Sequence, residues 1–169
     1  NKDLAAFDRA FWGHVGFVAS NVVRTAIHRL TCSLLAPKHF DGTIGRCQQK
    51  LTGLSAAFAL SSDIAMGTLG GSLKFKEHLT GRLADALSWL LVGSAVLKKF
   101  HDDSRPERDQ DVVQHQLQTC VVHIEQALGG FVMNLPNRPA AWLLRILGVP
   151  VRVRSAAPSD KLSGRIAKG

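Results

Sequence analysis

Between Leu51 and Phe100 the apolar residues fall at three- and four-residue steps, interrupted once, at Gly70-Gly71. Leu51, Leu54, Phe58, Ser61, Ala65 and Leu69 share one face of a helix, and Leu79, Leu83, Leu87, Leu90, Ser94 and Leu97 share one face of a second. Small residues crowd both arms, among them Ala56, Ala57, Gly67, Ala86, Gly93 and Ala95. Small side chains let helix axes approach closely, so the stretch predicts two helices packed against each other. Gly70 or Gly71 supplies the left-handed residue that closes the first helix, and Ser72 or Thr80 caps the second. Gly53 falls at an ordinary helical position, where replacement is expected to be neutral or mildly stabilising.

The rest of the chain arranges itself around that pair. From Asp3 to about Leu30, Leu4, Phe7, Phe11, Val15, Val18, Val22 and Ala26 or Ile27 form a helical stripe. Gly13 and Gly16 inside it each weaken an isolated helix by about 1 kcal/mol, and close packing on a neighbouring helix is the expected compensation. Arg9, Arg24 and Arg29 read as a solvated face or as ion-pair partners. Cys32 to Gly45, with Pro37 and Asp41-Gly42, reads as a loop. Helices are expected from about Arg46 to Leu69 and from about Lys74 to Phe100. Ser104 and Glu107 have capping-box spacing, with Pro106 in the first turn of a fourth helix from about Arg105 to Met133. Its buried face is Val113, Leu117, Cys120 or Val121, Ile124, Leu128 and Phe131, with Glu125 on the opposite side. The Asn134–Pro139 run stops that helix, Ala140 to Leu147 forms a short apolar one, and Gly148 and Pro150 end it. Asp63 and Asp85 lie near apolar faces and are expected to pair with an arginine or lysine.

These elements predict an all-α fold: an antiparallel bundle of about four long helices over residues 1–150, a short apolar helix, and a basic, partly extended tail over 151–169. A hydrophobic fraction of 46% with 20% charged residues is enough for one domain with its own core. The missing initiator methionine and uncapped ends suggest a piece of a longer chain. The apolar-and-small run Trp89 to Leu97 is well short of the ~20 residues that cross a bilayer.

The net charge of +8 favours anionic partners. Nucleic acid is not expected among them, because tyrosine is absent and no basic-aromatic alternation suits base stacking. Cys32, Cys47 and Cys120 are odd in number and far apart, as reduced thiols are. The seven histidines give no metal site by spacing, so none is assigned; His14, His28 and His78 read as surface or satisfied core residues. Phosphate-loop and nucleophile-elbow patterns are absent. One stretch does suggest contact with something outside the bundle. The helix containing Trp142, Leu143, Arg145 and Leu147 is apolar almost all round and is followed at once by Arg152 and Arg154. An apolar helix beside cations suits a membrane interface or a partner surface, and the alternative is that Trp142, Leu143 and Leu147 pack onto the bundle or a further domain.

The strings LGGSLKFKEHLTGRLADALSWL, NLPNRP and PSDKL, with the opening AFDRAFWGHVGFVASNVVR, occur here in order. In this the chain resembles, over nearly its whole length, the C-terminal extension of the large bacterial long-chain acyl-CoA dehydrogenases. The resemblance implies fatty-acid β-oxidation: an FAD enzyme that converts fatty acyl-CoA to trans-2-enoyl-CoA and passes electrons to an acceptor flavoprotein. It further implies a cytoplasmic setting, peripheral on the inner membrane, and is compatible with a homodimer. In that family the flavin contacts and the catalytic glutamate lie upstream of the segment corresponding to Asn1. Glu77, Glu107 and Glu125 are the candidates by type, but none precedes a glycine in a short loop as that base does. No catalytic, cofactor-binding or metal residue is therefore assigned, and no FAD is expected on this segment alone.

Overall fold

The computed structural model describes residues 4–31 and 33–168. The predicted helix start at Asp3, the Cys32 thiol and the Arg29 side chain lie outside the described residues. Six α-helices and two short 3-10 turns make up the regular structure of the described residues, with no strand among them. The helices are α1 (Leu4–Leu30), α2 (Gly42–Leu69), α3 (Glu77–Asp102), α4 (Gln110–Asn134), α5 (Arg138–Leu147) and α6 (Asp160–Ile166).

The core is where α2, α3 and α4 meet. Leu60, Leu117, Ile124, Leu128 and Phe131 are fully buried there, so truncating any one of the leucines to alanine costs about 2–5 kcal/mol. The α4 stripe is buried as the periodicity predicts, from Val113 through Phe131. On α3 the buried positions are Leu79, Ala86, Leu90, Gly93 and Phe100, while Leu87 and Ser94 are exposed. The face is rotated because Gly93 is the point of closest approach: a Cβ there would stand 3.0 Å from Leu51 of α2 and 3.6 Å from Cys120 of α4. Trp89 stacks on His123 across the α3–α4 seam, ring centroids 4.3 Å apart. The close helix approach expected from small residues is thus found at particular positions.

Helix ends depart from expectation in instructive ways. Gly70 does close α2 with positive φ, 49°, but Gly71 does not share it, and a 3-10 turn over Gly70–Phe75 intervenes before α3. Neither Ser72 nor Thr80 caps α3; both hydroxyls bond back to carbonyls of Leu69 and Glu77. The Ser104–Glu107 capping box does not form. Ser104 is instead spent on ending α3, in a Schellman arrangement in which Arg105 N–H donates to Phe100 O and Ser104 N–H to His101 O. That puts Ser104 and Arg105 at positive φ, Arg105 over the Phe40 ring, and delays α4 to Gln110. α5 starts at Arg138, two residues before the expected Ala140, because Asn137 caps it by accepting from Ala140 N–H; its end at Gly148, φ 102°, is as expected.

Two carboxylates differ from their sequence reading. Asp63 is buried, but its partner is the Asn21 amide at 2.7 Å and not a cation. Asp85 is exposed, because α3 turns that side outward. The segment after α5, expected to be a basic tail, runs irregularly from Val149 and then folds into α6, with Leu162 buried and Arg165 bidentate to Asp111 of α4 at 2.7 and 2.8 Å. Gly53 is also no ordinary position, since a Cβ there would collide with Ser33 Oγ and come within 3.5 Å of His28.

Candidate functional site

The C-terminal half of α1 is fastened to α2 by buried polar contacts. Asn21 holds Asp63, and the Thr25 hydroxyl donates to Asn21 O and to Ala56 O at 2.8 and 3.1 Å. The N-terminal half instead lies open. Phe7, Trp12 and Phe17 are 65%, 67% and 57% exposed, and Leu4, Phe11 and Val15 are exposed with them. The stripe expected to be buried is therefore open except toward its end, at Val18 and Val22. Gly13 and Gly16 have nothing within 4 Å of a would-be Cβ, so the expected close packing is not provided by this chain's described residues.

On α5, Ala140, Ala141 and Leu144 face the core, and Leu147 packs partly against it. Trp142, Leu143 and Ile146 point away and are exposed, so of the residues read as packing candidates only Leu147 touches the bundle. Arg145 shares the exposed side of α5, and Arg152 is exposed on the irregular segment. A second open apolar surface is thus present, edged by cations. No helix of the described residues is long and apolar enough to cross a membrane.

Arg154 sits elsewhere. It lines a cleft of about 250 Å³ that α1, α2, α4 and the segment after α5 enclose, together with His28, Arg46, Lys50, Glu125 and Ser155. Glu125, read from the sequence as facing away from the α4 stripe, is buried beneath the returning chain. Its carboxylate accepts from Arg154 N–H, Ser155 N–H and the Ser155 hydroxyl at 2.8, 2.9 and 2.8 Å. Gly129, one turn later, lets the backbone come close, with Val151 O at 3.1 Å from a would-be Cβ. Lys50 Nζ donates to Ser155 Oγ at 3.0 Å. His28 is neither a plain surface histidine nor a satisfied core one: its Nδ1 is buried without a partner, and burial, helped by Arg24, holds its pKa below the usual 6.5. The only trace of this cleft in the sequence is Arg46 and Lys50 one helical turn apart; its other members come together through the fold alone.

Among the described residues, no three of His, Cys, Asp and Glu gather as a metal site would require. Cys47 and Cys120 are buried free thiols, their pKa values pushed up by desolvation. Glu77 and Glu107 are exposed. A family model described as acyl-CoA dehydrogenase, C-terminal, bacterial type, matches residues 1–169. No solved structure matches the chain.

Proposed function

The chain belongs to the bacterial-type acyl-CoA dehydrogenase C-terminal family, and from that premise we propose that it is a non-catalytic helical domain of a flavin-dependent enzyme converting fatty acyl-CoA to trans-2-enoyl-CoA. Its own task is docking. Of the three glutamates, two are exposed and Glu125 is saturated by backbone and hydroxyl donors, so no described glutamate stands free beside an apolar bed that would hold a flavin ring. Cofactor, proton-abstracting base and the contact with an electron-acceptor flavoprotein are assigned to another part of the polypeptide, in the cytoplasm.

The observation that carries the docking role is the open N-terminal half of α1. A helix that exposes Leu4, Phe7, Phe11, Trp12, Val15 and Phe17 while carrying few charges is stable in water only when something covers it. We assign that covering to the dehydrogenase part of the enzyme. Oxidative footprinting tests this, comparing the 169-residue chain with the longer polypeptide that includes the dehydrogenase part. Trp12 is expected to be labelled rapidly in the first and protected in the second; equal labelling in both defeats the assignment.

A second reading rests on α5. Trp142, Leu143 and Ile146 are exposed beside Arg145 and Arg152, an arrangement that suits the surface of an anionic membrane, where each cation adds about 1 kcal/mol of attraction. Co-sedimentation with vesicles should then require anionic lipid, weaken with salt, and fall in both Trp142→Asp and Arg152→Glu. If the longer polypeptide stays in solution with every vesicle, α5 is a protein-facing surface, with a second copy of the enzyme as the partner to test.

A further inference from the structure

The cleft between α1, α2 and the segment after α5 carries more cations than carboxylates. Arg46, Lys50 and Arg154 bring three cations to its wall, and Glu125 brings one carboxylate. Glu125 is committed: its oxygens accept from two backbone N–H groups and the Ser155 hydroxyl. Lys50 donates to that same hydroxyl, and no carboxylate of the described residues lies within 4.0 Å of Lys50 or Arg154. The wall thus carries excess positive charge facing a concavity with Leu54, Ala57 and Pro150 as apolar lining. Low-dielectric walls focus such a field into the cleft and strengthen a charge-assisted hydrogen bond made there.

We infer that this cleft is a binding site for a phosphate monoester, held by Lys50 and Arg154 with its organic part against the apolar wall. Phosphate suits the donor set because an ammonium and a guanidinium fork together complement several oxygens of one dianion. The His28 nitrogen without a protein partner adds a further polar group to the wall. The inference does not depend on the function proposed above, because it uses only groups of this chain.

The test is calorimetric titration of the 169-residue chain, whose core is formed by its own residues, at low salt. The probes are inorganic phosphate, glycerol 3-phosphate and vesicles of phosphatidylcholine with or without phosphatidic acid. Saturable one-to-one binding is expected, weakened about tenfold or more by Lys50→Gln and by Arg154→Gln. Arg154→Gln keeps the backbone N–H that holds Glu125, so its urea midpoint should match wild type and separate lost binding from lost fold. Arg152→Gln removes an equal charge from an exposed position outside the cleft and should leave affinity for the two soluble probes within about twofold. Binding of both soluble probes identifies a soluble phosphate or its ester; binding confined to phosphatidic acid vesicles identifies a lipid headgroup. The inference is overturned if no probe binds at millimolar concentration, or if Arg152→Gln weakens binding as much as the two cleft variants.

Discussion

Replacing Gly45 by alanine would place a Cβ on the Phe40 carbonyl oxygen and 2.8 Å from the Phe40 carbonyl carbon. Both are backbone atoms of the segment that enters α2, so no side-chain rotation makes room. Relief means lifting residues 38–41 off the first turn, and Phe40 goes with them. That ring is 6% exposed, stands 5.8 Å from the Phe100 ring and lies beneath the Arg105 guanidinium, so the displacement disturbs the end of α3 as well. Overpacking of this kind costs about 1–3 kcal/mol, against which the better helix propensity of alanine returns about 1 kcal/mol. The control is Gly67 on the same helix, where nothing lies within 4 Å of the new atom; there the propensity gain stands alone, at about 0.5–1 kcal/mol. The same chemical change should therefore lower the urea midpoint at Gly45 and raise it at Gly67. With a slope of about 2 kcal/mol per molar, the two variants should be separated by roughly 1 M. A Gly45→Ala midpoint at or above wild type, or a Gly67→Ala midpoint equally depressed, refutes this reasoning.

Gly70→Val should cost about 1–2 kcal/mol, because φ of 49° is strained for any residue with a Cβ, while Gly71→Ala should shift the denaturation midpoint little. Hydrogen exchange in α6 should accelerate in Arg165→Ala. In wild type the protection factors of α6, with the intrinsic pH dependence of amide exchange divided out, should fall on acidification: Arg165 holds the Asp111 carboxyl below its usual range, so the bridge is complete above pH about 4 and is lost as pH falls through the lowered folded-state pKa. If the protection factors of α6 are the same at pH 7 and at pH 2, the bridge does not hold it. Purified, the 169-residue chain should fold cooperatively, remain colourless with added FAD and leave acyl-CoA unchanged; a yellow protein or turnover above background would contradict the docking role.

Periodicity makes α4 legible because every position of its stripe meets the same core. The equally regular stripe of α1 misleads for a reason that is general: spacing tells which residues share a face, and nothing about whether the cover for that face belongs to the same domain. Local signals fail where one residue has two suitors. Ser104 fits an N-cap by spacing, yet the end of α3 takes it first. Asp63 shows that a buried carboxylate finds whichever donor the neighbouring helix presents, here the amide of Asn21. The cleft is hardest to see, since Lys50, Glu125 and Ser155 are joined only by the return of the chain after α5.

That return makes one carboxylate the fastening of everything after residue 150. The bonds from Arg154 and Ser155 reach an acceptor that exists in place only once α4 is wound and docked, so the terminal segment has nothing to grip until the bundle has formed. Beyond the clamp, a buried Leu162 and one exposed ion pair hold α6, so brief opening of 156–168 leaves the three-helix core untouched. A protease should trim the chain from that end in stages, first past the Arg165–Asp111 bridge and only much later past Glu125, and a Glu125→Ala chain should lose the whole segment in a single step.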